Sequence, residues 1–179
     1  GIGTDNVDLG AATERGVVVT YTPHANADSV ADFTVGLMLS AARRIPQAHN
    51  STRQGLWEAT KFMGTEVHGK TLGIIGLGAV GRRMAERARG FGMRVLAFDP
   101  YVEPGKVEGV ELVDLKALLE SSDVVTVHVP LTEETRGMIR EEELEAMKPG
   151  AYLINTARGE VVDEEALYSC LLYTSDAAD

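Results

Sequence analysis

The chain has 179 residues, 44% apolar and 25% charged, which suits one well-buried core, or one domain with part of another, in a soluble globular protein. Lys and Arg number 17 against 27 Asp and Glu, a net charge of −10; this argues against nucleic acid or an anionic membrane as partner, so any anionic ligand must be captured locally. One cysteine, Cys170, excludes an internal disulfide framework and a CxxC metal site; with no metal site expected, no apolar run near the ~18 residues of a membrane span and no signal peptide, the expected location is the cytoplasm.

In chain order, Gly1-Ile2-Gly3 opens in mid-pattern without an initiator Met and reads as a start from which earlier residues are missing. Residues 9–15 predict a short helix ended by Gly16, and Val17-Val18-Val19 has the β-branched density of a buried strand closed by Pro23. From 28 to about 47, Val30, Phe33, Thr34, Leu37, Met38 and Ala41 recur at helical spacing, predicting one long helix with a wide apolar face and Pro46 near its end. A loop through Gly55, Trp57 and Gly64 follows. The period then changes. Strands are predicted at 71–75, 94–98, 124–127 and 151–155, alternating with helices at 81–90 (Met84, Ala85 and Ala88 inward), 115–120, 141–147 and from near Asp163. That alternation predicts an α/β fold with a parallel sheet wound on both faces. After Tyr168 the helical pattern lacks its continuation, and residues 170–179 resemble read-through of an adapter and are expected to be a non-native tail.

Gly76-Leu77-Gly78-Ala79-Val80-Gly81 is a GxGxxG at the end of a strand and the start of a helix, with Asp99 at the end of the next strand. This context turns a weak pattern into a dinucleotide fingerprint. Gly76 permits the turn, Gly78 lets the backbone approach a pyrophosphate, and Gly81 lets helix and strand approach; the helix N-terminus supplies free N–H groups to the phosphates. The alternative is that these glycines serve only the turn. Asp99 can accept both ribose hydroxyls of an adenosine and repel a 2′-phosphate. No Arg or Lys follows it immediately, which favours NAD over NADP; its plainer role would be a turn cap before Pro100. His128-Val129-Pro130-Leu131-Thr132, with Thr135 beyond, ends the third main strand. His128 could serve as a base, but a lone strand-end histidine reads better as a packed, hydrogen-bonded residue. Arg158, in Asn155-Thr156-Ala157-Arg158-Gly159, offers a rigid charged fork for an α-keto carboxylate, or a turn-pinning pair with Asp163.

The order GIGTDNVDL, TPHANADSVADFT, ARRIPQAH, WEATKFMG, GKTLGIIGLGAVG, AFDP, HVPLTEETRG, MKPGAYLINTARG and VVDEEAL resembles the D-isomer-specific 2-hydroxyacid dehydrogenases from Gly1 to about Tyr168. Trp57 to Gly64 is most similar to 3-phosphoglycerate dehydrogenases, with glyoxylate and hydroxypyruvate reductases close. The resemblance implies a Rossmann-type doubly wound sheet, incomplete, with residues 1–22 a remnant of the substrate-binding domain and 23–169 a C-terminally truncated NAD-binding domain. It further implies that Ile2 and Gly3 face substrate or cofactor, and that Ala79 and Val80 contact the pyrophosphate. Asp99 would hold the adenosine ribose, Val129, Pro130 and Thr135 the cofactor, Thr156 and Ala157 its nicotinamide side, and Arg158 would be the catalytic and substrate-binding arginine. His24 stands where the family often has glycine. The family's acid/base His and its Glu lie downstream of the NTARG stretch, so the chain is expected to end before them and to be inactive alone. The resemblance implies a small 2-hydroxy or 2-keto acid substrate and, through the long helix, a homodimer in the intact parent. An NAD(H)-sensing corepressor-like module is the alternative from another class.

Overall fold

A computed structural model describes residues 3–4 and 6–174. Its centre is a five-stranded parallel sheet, built from β1 (Thr71–Ile75), β2 (Arg94–Phe98), β3 (Glu111–Leu112), β4 (Val124–Val127) and β5 (Tyr152–Asn155), in the order β3-β2-β1-β4-β5. The first, second and fourth of these carry the bounds the sequence predicts, and β5 starts one residue late. Strands covered on both faces need no polar alternation, which is why β1, β2 and β4 read as nearly unbroken apolar runs. β3 was not expected. Two residues long, it exists through its pairing of Glu111 and Leu112 with Leu96 and Ala97, and two residues carry no period.

Helices cover both faces. On one side α2 (Ala27–Ala42) and α4 (Ala79–Gly90) close over Met38, Leu72, Ile74, Met84, Val95 and Ile154. Met84, Ala85 and Ala88 point inward as the spacing predicts. Arg87 ties the two helices, its Nε donating to Asp32 at 2.7 Å and its Nη2 to Asp28 at 3.2 Å. On the other side α5 (Leu115–Ser121), α6 (Glu141–Glu145) and α7 (Glu164–Thr174) enclose Ile75, Leu96, Leu118, Val125, Val127 and Leu144.

Three local expectations are corrected. The single long helix is two, because Arg44 takes a left-handed conformation (φ 52°) and α3 (Ile45–Arg53) starts afresh with Pro46 in its first turn, where the missing N–H is harmless. The buried stripe of α2 is Ala27, Ala31, Thr34, Met38 and Ala42, so Phe33 and Leu37 lie on its exposed face. The Val17–Val19 stretch forms no strand; it follows the short helix α1 (Leu9–Glu14) with Val17 and Val18 exposed and Val19 half-buried. α7, predicted from near Asp163, runs from Glu164 through Thr174. No helix among the described residues is long and apolar enough to cross a membrane.

Candidate functional site

Parallel register places the strand ends side by side. Ile75 is level with Phe98 and Val127, and Val127 with Asn155. The next residue of each strand therefore makes a row along the carboxyl edge of the sheet: Asp99, Gly76, His128, Thr156. Gly76 N–H donates to Phe98 O at 2.9 Å and His128 N–H to Ile75 O at 2.8 Å, carrying the ladder to this edge. The chain leaves β1 toward β2 on one side and returns to β4 on the other, so β1 and β4 flank the point where winding reverses, the usual ligand crevice of such sheets.

Gly76 has φ 93°, a conformation that an L side chain resists, and a Cβ there would sit 2.9 Å from Val129 Cγ1. A Cβ on Gly81 would strike the Gly76 carbonyl oxygen, whereas one on Gly78 would meet nothing within 4 Å. The three glycines thus divide into a turn, a close packing contact and an open face. Gly78 caps α4 without a side-chain hydrogen bond, and the first turn holds no acid. Since the first intrahelical bond runs from Arg82 N–H to Gly78 O (3.1 Å), the N–H groups of Ala79, Val80 and Gly81 have no carbonyl within the helix. A cavity of about 540 Å³ lies beside them, lined by His24, Asp28, Gly78, Ala79, Arg82 and Arg83. Free donors, a positive helix end and an open face fit a diphosphate in an acidic chain.

Asp99 faces this loop. One carboxylate oxygen accepts the Leu77 N–H at 2.8 Å, and the other accepts the Tyr101 N–H at 2.9 Å. The turn-cap role is therefore present, and it also locks the glycine loop to the end of β2. A carboxylate has about four lone-pair sites, so two N–H bonds leave it room for ribose hydroxyls.

At the ends of β4 and β5 the chain is equally constrained. Thr135 Oγ1 accepts the Thr132 N–H (2.8 Å) and donates to Pro130 O (2.6 Å), fixing the Val129-Pro130 turn. Asn155 accepts the Ala157 N–H (3.0 Å) and donates to Arg158 O (2.7 Å), fixing the Thr156-Ala157-Arg158 corner. Arg158 is half-buried, with one Nη donating to Ala157 O at 3.0 Å. Asp163 instead caps α7, accepting from Glu165 and Ala166 N–H at 3.0 Å. His128 is packed, as expected. Burial pushes it down to about 4, its Nδ1 is 3.4 Å from Thr156 Oγ1, and its buried Nε2 has no partner.

Gly3 is exposed and Ile2 lies outside the described residues. Of two further features, sequence reasoning missed the first and met the second only as a departure from the glycine often found there. Thr34, wholly buried on α2, bonds Thr156 at 3.0 Å, and His24 takes φ 66°, the conformation that makes glycine the easier residue there. A larger cavity, about 730 Å³, runs beside β5 and α7 past Leu144, Tyr152, Ile154 and Leu167; it is separate from the glycine loop.

Fold and strand-end site together define a dinucleotide-binding domain. The chain belongs to the D-isomer specific 2-hydroxyacid dehydrogenases, whose NAD binding domain profile matches residues 35–176. It is 52% identical over 173 residues to a D-3-phosphoglycerate dehydrogenase of Archaeoglobus fulgidus, covering 96% of this chain and 33% of that one. It is 49% identical over 168 residues to a hydroxypyruvate reductase of Thermotoga maritima, covering 94% of this chain and 55% of the relative. Among solved structures it is similar to apo D-lactate dehydrogenase from Escherichia coli (TM-score 0.90, 40% identity, 96% of this chain, 55% of that one). It is also similar to D-lactate dehydrogenase from Aquifex aeolicus complexed with NAD and lactic acid (TM-score 0.86, 37% identity, 96% and 52%). The chain thus spans a third to about half of the proteins it matches.

Proposed function

We propose that these 179 residues hold NAD for an oxidoreductase acting on the CH–OH group of a D-2-hydroxy acid, most like 3-phosphoglycerate dehydrogenase. The observation that carries the reading is the row Asp99, Gly76, His128, Thr156 along one sheet edge, with the free N–H groups of α4 in front of it. On this reading Gly76, Gly78, Ala79, Val80 and Gly81 receive the pyrophosphate, and Asp99 the adenosine ribose. Val129, Pro130 and Thr135 line the cofactor, and Thr156 and Ala157 meet the nicotinamide, which supplies or accepts the hydride when bound. Arg158 clamps the substrate carboxylate, for which a planar fork is the fitting group. Ile2 and Gly3 complete the substrate side from the first 22 residues, a piece of the substrate-binding domain preceding the NAD-binding domain proper. The exposed face of α2, with Phe33 and Leu37 outward, is the surface through which the parent pairs with a second copy in the cytoplasm.

A hydroxypyruvate or glyoxylate reductase is the second reading, favoured by relatives bearing those names at 49% and 48% identity. General acid/base help is worth ~10² to 10⁴ in rate, and the residues that give it in the family fall past Arg158. On this reading these 179 residues by themselves bind without turning over, since no histidine follows Arg158 among them. Titration of the purified chain with NADH, then assay with 3-phosphoglycerate, hydroxypyruvate and glyoxylate, should show binding and no catalysis. Turnover at ordinary enzyme rates would contradict the binding-only part, and absence of NADH binding would contradict the whole.

A further inference from the structure

Three side chains from distant parts of the sequence form one hydrogen-bonded line, and proton bookkeeping gives it a direction. Thr34 Oγ1 donates to Val30 O at 2.8 Å, the back-bond that threonine makes within a helix. A hydroxyl has one proton. The 3.0 Å contact between Thr34 and Thr156 must therefore be donated by Thr156. With its own proton spent, Thr156 can only accept along the 3.4 Å contact with His128 Nδ1, so the proton of His128 resides on Nδ1. Nε2, buried and without a partner, is then a bare lone pair; protonating it would bury an unpaired N–H⁺. Burial's push of this histidine down to about 4 agrees with that assignment.

We propose that Thr34 and His128 are positioning residues, which orient the Thr156 hydroxyl so that it offers the nicotinamide half of the cofactor an acceptor and never a donor. The inference rests on the placement of Thr156 at the nicotinamide side under the proposed function. Thr156 receives the His128 proton on one lone pair and keeps the other, so a hydrogen-bond donor on the nicotinamide half is favoured there. Without Thr34 the Thr156 proton has no fixed acceptor and the hydroxyl is free to turn.

Two measurements test this. Nitrogen NMR of the histidine ring in the unliganded chain should find His128 neutral from mildly acidic to neutral pH, with its proton on Nδ1; a proton on Nε2 would overturn the proposal. Binding of NADH and of ADP-ribose, which lacks nicotinamide, is then compared between wild type and Thr34 variants. Thr34→Val should weaken NADH by about 3- to 10-fold, the scale of one hydrogen bond, and leave ADP-ribose unchanged, while Thr34→Ser restores NADH. An unchanged NADH-to-ADP-ribose ratio in Thr34→Val, or an equal loss of both, would refute the positioning role and leave the dinucleotide site standing. A wild-type chain that bound neither nucleotide would defeat that site and this inference together.

Discussion

Two short runs rich in β-branched residues, 17–19 and 71–75, carry similar strand signals and meet opposite fates. Val17 and Val18 are 58% and 83% exposed, while Leu72, Ile74 and Ile75 are fully buried. The later run pairs with β2 and β4 on either side and is covered on both faces. The earlier one has no ladder partner among the described residues; Val17 N–H turns back to Ala12 O at 2.9 Å, closing α1. Strand propensity reports fitness for a pleated, buried surface and needs that surface to be present.

The strongest way to break this contrast is paired truncation. Ile74→Ala should cost about 2–5 kcal/mol by urea denaturation, because it empties a filled core position, and Val18→Ala should stay within about 0.5 kcal/mol. Similar losses at both sites would show that 17–19 packs as a strand after all. A second test uses pH. His128 has an ordinary pKa of 6.5 and stands at about 4 in the fold, so as pH falls the unfolded chain takes up the proton first. The stability that depends on neutral His128 is complete above pH 6.5 and is lost progressively toward 4, a change of about 3 kcal/mol. His128→Phe should flatten the stability curve across that window; an unchanged slope would mean that the ring is solvated.

The glycines of the loop sharpen the contrast further, since they separate packing from binding. Gly81→Ala should destabilise by about 1–3 kcal/mol through overpacking, as its Cβ meets the Gly76 carbonyl. Gly78→Ala, whose Cβ meets nothing, should leave thermal stability nearly unchanged and weaken NADH. A Gly78→Ala chain that bound NADH normally would move the pyrophosphate away from this face.

Much of this was legible in the sequence, for the same reason that separates the two runs. Central parallel strands, the inward-facing positions of α4 and the glycine loop with its acid are written in contiguous patterns. Of the break between α2 and α3 the sequence showed only Pro46, read as the approach to a helix end; the boundary itself falls at Arg44, a left-handed residue that no glycine announces. Thr34 escaped notice because a threonine on a helix stripe reads as one more core position. Its partner Thr156 is 122 residues away, and no local period encodes a hydrogen bond across that separation. Asp99's second duty, holding the Leu77 N–H, was hidden likewise, since it depends on register between β1 and β2.

The central claim is that a dinucleotide lies across the strand ends with its adenosine ribose at Asp99, and parallel NADH and NADPH titrations of wild type and Asp99→Ala test it most directly. Wild type should prefer NADH, and the variant should bind NADH more weakly and lose most of that preference, because the charge opposing a 2′-phosphate is gone. Discrimination that survives intact in Asp99→Ala, with NADH still bound, would contradict the account.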